Sequence, residues 1–194
     1  MKKSRATSIA LSITVLLSVM CTAESCDQKK IKKEFRKWNY KAGKAAVACN
    51  EAWDESYKAI AEETTKAIIN EHGDDPNFSD DMAAAEFAKR MAEIDEHNKK
   101  FEESMKIIKN SLEAIEQSLD ASDHVDAKLW KAMIKDILNA LDNVTVILNE
   151  VAIDSESVKF QSAVNWIGVA VNGANSILDA LVGYDPDPDD PKDD

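Results

Sequence analysis

The sequence predicts an all-α protein: an elongated antiparallel four-helix bundle with coiled-coil-like heptad packing, following an N-terminal signal peptide. Three observations carry this. Gly and Pro are scarce, five and four in 194 residues, and no proline interrupts the stretch between Pro76 and Pro186. From Phe87 to Leu119, the residues Phe87, Met91, Ile94, Asn98, Phe101, Met105, Ile108, Leu112, Ile115 and Leu119 keep a 4-3-4-3 spacing, and nine of the ten are apolar. Such a run is the seam of a helix that buries one narrow stripe against other helices. The residues between seam positions are chiefly Glu, Lys, Asp and Ala, which suit a solvated face of high helix propensity.

Residues 1–23 read as a secretory signal peptide. Lys2, Lys3 and Arg5 form a basic n-region, Ile9 to Met20 an apolar run, and Cys21-Thr22-Ala23 a small-residue cleavage site. The expected location is therefore secreted or periplasmic. The apolar run is short for a transmembrane helix. Met20 before Cys21, and Glu24 two places before Cys26, depart from the small residues a lipid-attachment cysteine needs.

Cleavage after Ala23 leaves Cys26 and Cys49. An even cysteine count in an exported chain invites a disulfide. One straight helix over both would hold them about 34 Å apart, far beyond the roughly 7 Å between Cα atoms that a bridge allows. Pairing then requires a chain reversal before Gln28, a break at Gly43, or a second molecule. Otherwise Cys49 is a small core residue.

The first helix is expected over residues 28–72. Ile31, Phe35, Trp38, Ala42, Ala45, Cys49, Ala52, Ser56 and Ala59 repeat the spacing, with Trp53, Tyr57 and Ile60 on an adjoining stripe. Gly43 is its weak point, costing about 1 kcal/mol relative to Ala. His72-Gly73 reads as a helix end with glycine in the left-handed cap. After a turn, Ser79 caps a second helix over 80–121, with Asp80 and Asp81 complementing its dipole.

Ser122 or Asp123 is expected to cap a third helix over 123–153, with an apolar set of Leu129, Met133, Ile134, Ile137, Leu138, Leu141, Val144, Leu148 and Val151. Asp154 or Ser155 is expected to cap a fourth over 155–182, closed by Gly183. Its seam reads Phe160, Val164, Ile167, Val171, Ala174, Leu178 and Leu181, and its lack of charge makes it the most buried-looking of the four. Short turns make antiparallel neighbours, with the first helix pair projecting beyond the second. From Tyr184 onward the chain is rich in Asp and Pro and reads as a disordered acidic tail.

Charge is segregated. Residues 28–44 hold eight Lys or Arg against Glu34 alone, while residues 45–194 hold 13 basic and 33 acidic residues. Such a body repels nucleic acid and anionic membrane except at its basic head. The head lysines flank Ile31, Phe35 and Trp38, which makes a basic amphipathic helix. Its candidate binding residues are Lys29, Lys30, Lys32, Lys33, Arg36, Lys37 and Trp38. The same pattern also describes an ordinary bundle helix whose lysines are solvated or meet the acidic tail.

Signals for catalysis are absent from the sequence. Asp75, Asn77, Ser79, Asp81 and Glu86 echo a calcium-loop spacing, but Asp80 stands where such a loop needs Gly and Pro76 sits at its second position. His72, His97 and His124 are scattered and form no Glu-x-x-His pair. No P-loop, zinc ribbon, nucleophile elbow or dinucleotide fingerprint appears. No catalytic residue, cofactor or metal is expected. Asn98 within the seam either fixes register or oligomer number, or is satisfied by a neighbouring helix.

The leading expectation is an exported, non-enzymatic bundle that binds a protein or an anionic surface through its basic head. Peripheral membrane contact by the first helix and homo-oligomers belong to the same expectation. The alternative is a membrane-active bundle of toxin or lysis type that inserts Phe160 to Val182. Against insertion, Asn165, Asn172 and Asp179 make a polar strip that is costly in lipid.

Overall fold

The computed structural model describes residues 3–121, 126–151 and 156–182, with side chains from Gln28 onward. All of the regular structure among the described residues is helical. Four helices follow in order: α1 (Lys3–His72), α2 (Asp80–Ala121), α3 (Ala127–Val151) and α4 (Val158–Leu181). Among the described residues there is no strand, and the arrangement is that of a helical bundle.

Cross-helix pairs set the directions. As α1 ascends through Arg36, Trp53, Tyr57 and Glu71, its partners on α2 descend through Asp120, Asn98, Asp95 and Arg90. Between α2 and α3, Ser118 meets Trp130 and His97 meets Glu150. Between α1 and α4, Trp38 meets Ala170 and Glu55 meets Ser157. Each of these neighbours runs opposite to its partner.

The long seam of α2 faces inward as predicted. Met91, Phe101, Ile108, Ile115 and Leu119 are buried, and the other five seam residues are half-buried. On α1, Phe35, Trp38, Ala42, Ala45, Cys49 and Ala52 are buried, joined by Trp53. Three tryptophans weld the core by combining a large buried ring with one donor each. Trp38 Nε1 donates to the Ala170 carbonyl, Trp53 Nε1 to Asn98 Oδ1 and Trp130 Nε1 to Ser118 Oγ, at 2.8, 2.8 and 2.9 Å. Phe35 stacks on Trp130 with centroids 4.5 Å apart, and Trp53 on Phe101 at 4.8 Å.

The second half departs from the predicted details. The apolar set of α3 includes Trp130, which is 1% exposed, and excludes Leu129, which is 41% exposed. On α4 the buried residues are Phe160, Ala163, Ala170, Ala174, Ile177 and Leu181. Of the expected seam, Phe160, Ala174 and Leu181 are buried, Ile167, Val171 and Leu178 are half-buried, and Val164 is exposed. Apolar residues surround most of α4, so spacing alone does not choose a face. Packing selects the alanine side, because small residues let α4 come close to the alanine seam of α1. α3, with ten buried residues against six in α4, is the more buried of the two.

Helix ends also differ. Asp126 caps α3, its carboxylate accepting from the Leu129 N–H. Ser157 caps α4, its hydroxyl accepting from the Phe160 N–H. The expected caps Ser122, Asp123, Asp154 and Ser155, and the expected stop Gly183, lie outside the described residues, as does the tail from Tyr184. At α4's end Val182 is the last described residue, in right-handed helical conformation. Ser79 does cap α2, accepting from the Met82 N–H.

Gly73 is not left-handed, since no described glycine has positive φ. Its N–H continues the helix to the Ile69 carbonyl at 2.7 Å, and a Cβ there would stand 2.5 Å from that oxygen. Close approach rather than backbone handedness therefore accounts for glycine at this position.

The first helix pair extends beyond the second. Past the Glu55–Ser157 contact, α1 continues about 25 Å to His72 with α2 beside it. This tip is held by Ile68 and Met91 in its interior. Outside, the Arg90 guanidinium forks onto both Glu71 oxygens at 3.1 and 2.6 Å and reaches Glu86 at 2.9 Å. His72 stacks on Phe78 across the turn, 4.2 Å apart.

Candidate functional site: a lysine-rimmed groove between α1 and α4

The cationic residues of the basic head lie on more than one side of α1, because a helix distributes consecutive residues around its circumference. Lys30, Glu34, Lys37 and Lys41 follow one another at helical spacing and face α4. Arg36 faces the other way, and its Nη2 lies 2.9 Å from Asp120 of α2. Lys29 and Lys33 are exposed, and Lys32 is half-buried.

Between α1 and α4, Lys30, Lys37 and Lys41 rim a groove of about 460 Å³. Ile31 and the edge of Trp38 line it from α1, and Gly173, Ser176, Ile177 and Ala180 from α4. Of the expected binding residues, this brings together Lys30, Lys37 and Trp38. It leaves out Lys29, Lys32, Lys33 and Arg36. Trp38 is only 2% exposed, with its N–H committed to Ala170, so it forms part of the wall.

Gly173 shapes the groove. A Cβ at this position would fall 2.8 Å from Trp38 Cδ1, so its absence lets α4 sit against the indole edge. Lys37 Nζ donates to Glu34 Oε1 at 2.7 Å. That hydrogen bond, helped by the charges of Lys37, Lys33 and Lys41, holds the Glu34 carboxyl below the usual carboxylate range. Lys30 and Lys41 have no ion pair with any described residue. The groove thus offers two available ammonium groups and a third shared with Glu34, above an apolar floor. This arrangement suits an anionic ligand with an apolar part.

Sequence reasoning missed Lys41 and the whole α4 wall. Lys41 was legible as the next helical step after Lys37. Gly173, Ser176, Ile177 and Ala180 became part of the site only through tertiary packing.

The other candidate constellations resolve into structural roles. Asp75 Oδ1 accepts from the Asn77 N–H, Ser79 caps α2, and Glu86 pairs with Arg90. Arg90 holds the Glu71 and Glu86 carboxyls below their usual range. His97 Nδ1 lies 3.6 Å from Glu150 on α3. His124 lies outside the described residues. Among the described residues, no three His, Cys, Asp or Glu side chains converge as a metal site.

Asn98 is satisfied within the chain. It accepts from Trp53 and donates to Glu102 Oε1 at 3.0 Å. Cys49 is free and fully buried, and desolvation pushes its thiol up to about 12. The Cys26 side chain lies outside those described, but its backbone shares the unbroken helix α1 with Cys49, about 34 Å away along the axis. No described helix is long and apolar enough to cross a membrane.

Compared with known proteins, the chain matches no family model, no curated protein and no solved structure.

Proposed function

We propose that this is an exported, non-enzymatic protein that works by binding, and that the α1/α4 groove is its binding site. In this reading residues 1–23 are removed as a signal peptide, and the mature chain is an antiparallel bundle with coiled-coil-like heptad packing. The ligand class is an acidic peptide segment of a partner protein, carrying one aromatic or aliphatic side chain for the apolar floor. The observation that carries the reading is the pairing of Lys30, Lys37 and Lys41 with the floor of Ile31, Gly173 and Ile177.

A peptide segment fits better than a bilayer. The groove is concave and narrow, whereas an interfacial helix needs an exposed apolar face. The remaining body, with 33 acids against 13 bases from residue 45 onward, repels an anionic surface. The inward-facing Phe160, Ala163, Ala170 and Ala174 favour this reading over insertion of α4.

The test is fluorescence anisotropy with labelled seven-residue peptides containing four Asp and one Tyr or Leu. Binding should weaken steeply between 50 and 300 mM salt, values chosen around the Debye-screening range of about 14 to 6 Å. It should be lost in the combined Lys30→Glu, Lys37→Glu, Lys41→Glu chain. Equal affinity in that variant removes the groove as the site. Binding to anionic phospholipid vesicles without peptide binding moves the function to a membrane surface.

A further inference from the structure

Resting on the groove reading above, we propose that the protein's own C-terminal segment, residues 183–194, occupies the α1/α4 groove and regulates access to it. α4 ends at Leu181 with Val182 as its cap. The groove lies beside that end, since Ile177 and Ala180 form part of its wall. The twelve residues that follow lie outside the described part of the chain, so the argument rests on their chemistry, their length and their point of departure.

The chemistry is complementary. The segment carries six aspartates, one lysine and a single aromatic residue, Tyr184. The groove carries Lys30, Lys37 and Lys41 above Ile31 and Ile177. Tyr184 stands two positions after Val182 in the sequence, and the glycine between them permits a reversal toward that floor.

The lengths agree as well. Lys30 and Lys41 are eleven residues apart on α1, about 16 Å along the axis. A sequence with alternating prolines, as at Pro186 and Pro188, favours an extended chain of about 3.1 Å per residue. Asp185 to Asp190 therefore spans about 15 Å and matches the row of lysines. A tether this short presents its acids at a millimolar effective concentration. Even a weak contact then fills the groove, and an external acidic ligand must displace it. The device is an intramolecular competitor, set by charge and so by salt.

The test uses the full-length mature chain and its Asp185→Asn, Asp187→Asn, Asp189→Asn, Asp190→Asn variant. Carbodiimide forms an amide between a carboxyl and a lysine already in contact, and mass spectrometry locates it. The expected links join residues 185–190 to Lys30, Lys37 and Lys41, at a yield unchanged by dilution. Tail links spread over Lys66, Lys106 and Lys128, or lost on dilution, overturn the proposal.

The second arm measures a labelled Tyr-Asp-Pro-Asp-Pro-Asp-Asp peptide on both chains. It should bind the variant about tenfold more tightly, the gain expected when a tethered competitor at several times its own dissociation constant is removed. Equal binding to both chains overturns the tail and leaves the groove reading standing. If neither chain binds the peptide but the groove links form, the tail proposal holds and the groove loses its external ligand.

Discussion

The indole N–H of Trp38 donates to the backbone carbonyl of Ala170 across 2.8 Å of protein interior. Trp38 is 2% exposed and Ala170 is fully buried. A carbonyl has two lone pairs, so this oxygen can accept the indole beyond its own helix's bond. The contact fixes both the rotation of α4 and its height along α1, and with them the position of the groove wall.

Trp38→Phe should therefore destabilise the protein by about 1–3 kcal/mol, combining a lost hydrogen bond with a smaller buried ring. Urea unfolding with an unchanged slope is the measurement. A loss under about 0.5 kcal/mol, the level of an ordinary surface change, would mean that the contact does not organise the interface.

Trp53 and Asn98 should behave as a coupled pair, because each satisfies the other between α1 and α2. Asn98→Ala leaves the indole without its acceptor, and Trp53→Phe leaves the amide oxygen without its donor. A double-mutant cycle should return a coupling of about 1 kcal/mol. Additive effects would show the two side chains to be independent.

The glycines should respond oppositely to alanine. Gly43 has nothing within 4 Å of an added Cβ, so Gly43→Ala should stabilise by up to about 1 kcal/mol through helix propensity. Gly173→Ala places its methyl 2.8 Å from Trp38 and should destabilise by about 1–3 kcal/mol through overpacking. Thermal melts of the two variants compared with the parent check the signs.

Cys49 should be inert in the folded chain. With Cys21 and Cys26 replaced by Ser, a thiol reagent should label it only after denaturant is added. Burial raises the thiol from 9.0 to about 12, so the unfolded chain loses this proton first. The contribution is complete below pH 9 and declines between pH 9 and 12, by at most about 1.4 kcal/mol per pH unit. Cys49→Ala should remove that slope from the pH dependence of urea unfolding.

The legible part of the fold was the part written by strong contrast. On α2, isolated apolar residues among Glu and Lys leave one inward face available, and Met91, Phe101, Ile108, Ile115 and Leu119 take it. On α4 that contrast is missing. Valines and isoleucines lie on several sides, and the full burial of Ala163, Ala170 and Ile177, with Val171 and Leu178 half-buried and Val164 exposed, was decided by a partner helix. Trp130 eluded the pattern for a related reason. It stands beside Leu129 at the start of α3, and only Phe35 and Ser118 on other helices select it over its neighbour.

The candidate site divides in the same way. Composition and periodicity determined that the fold is helical, that residues 28–44 are rich in Lys and Arg and that acids dominate the rest. Tertiary structure decided which lysines face the α1/α4 groove. A helix turns by about 100° per residue, so eight cationic residues in seventeen positions point in every direction until a second helix marks one side as a cleft. α4 marks that side through Gly173 and Ile177, more than 130 residues along the chain from Lys37 and Trp38, and local sequence carries no information about a contact at that separation.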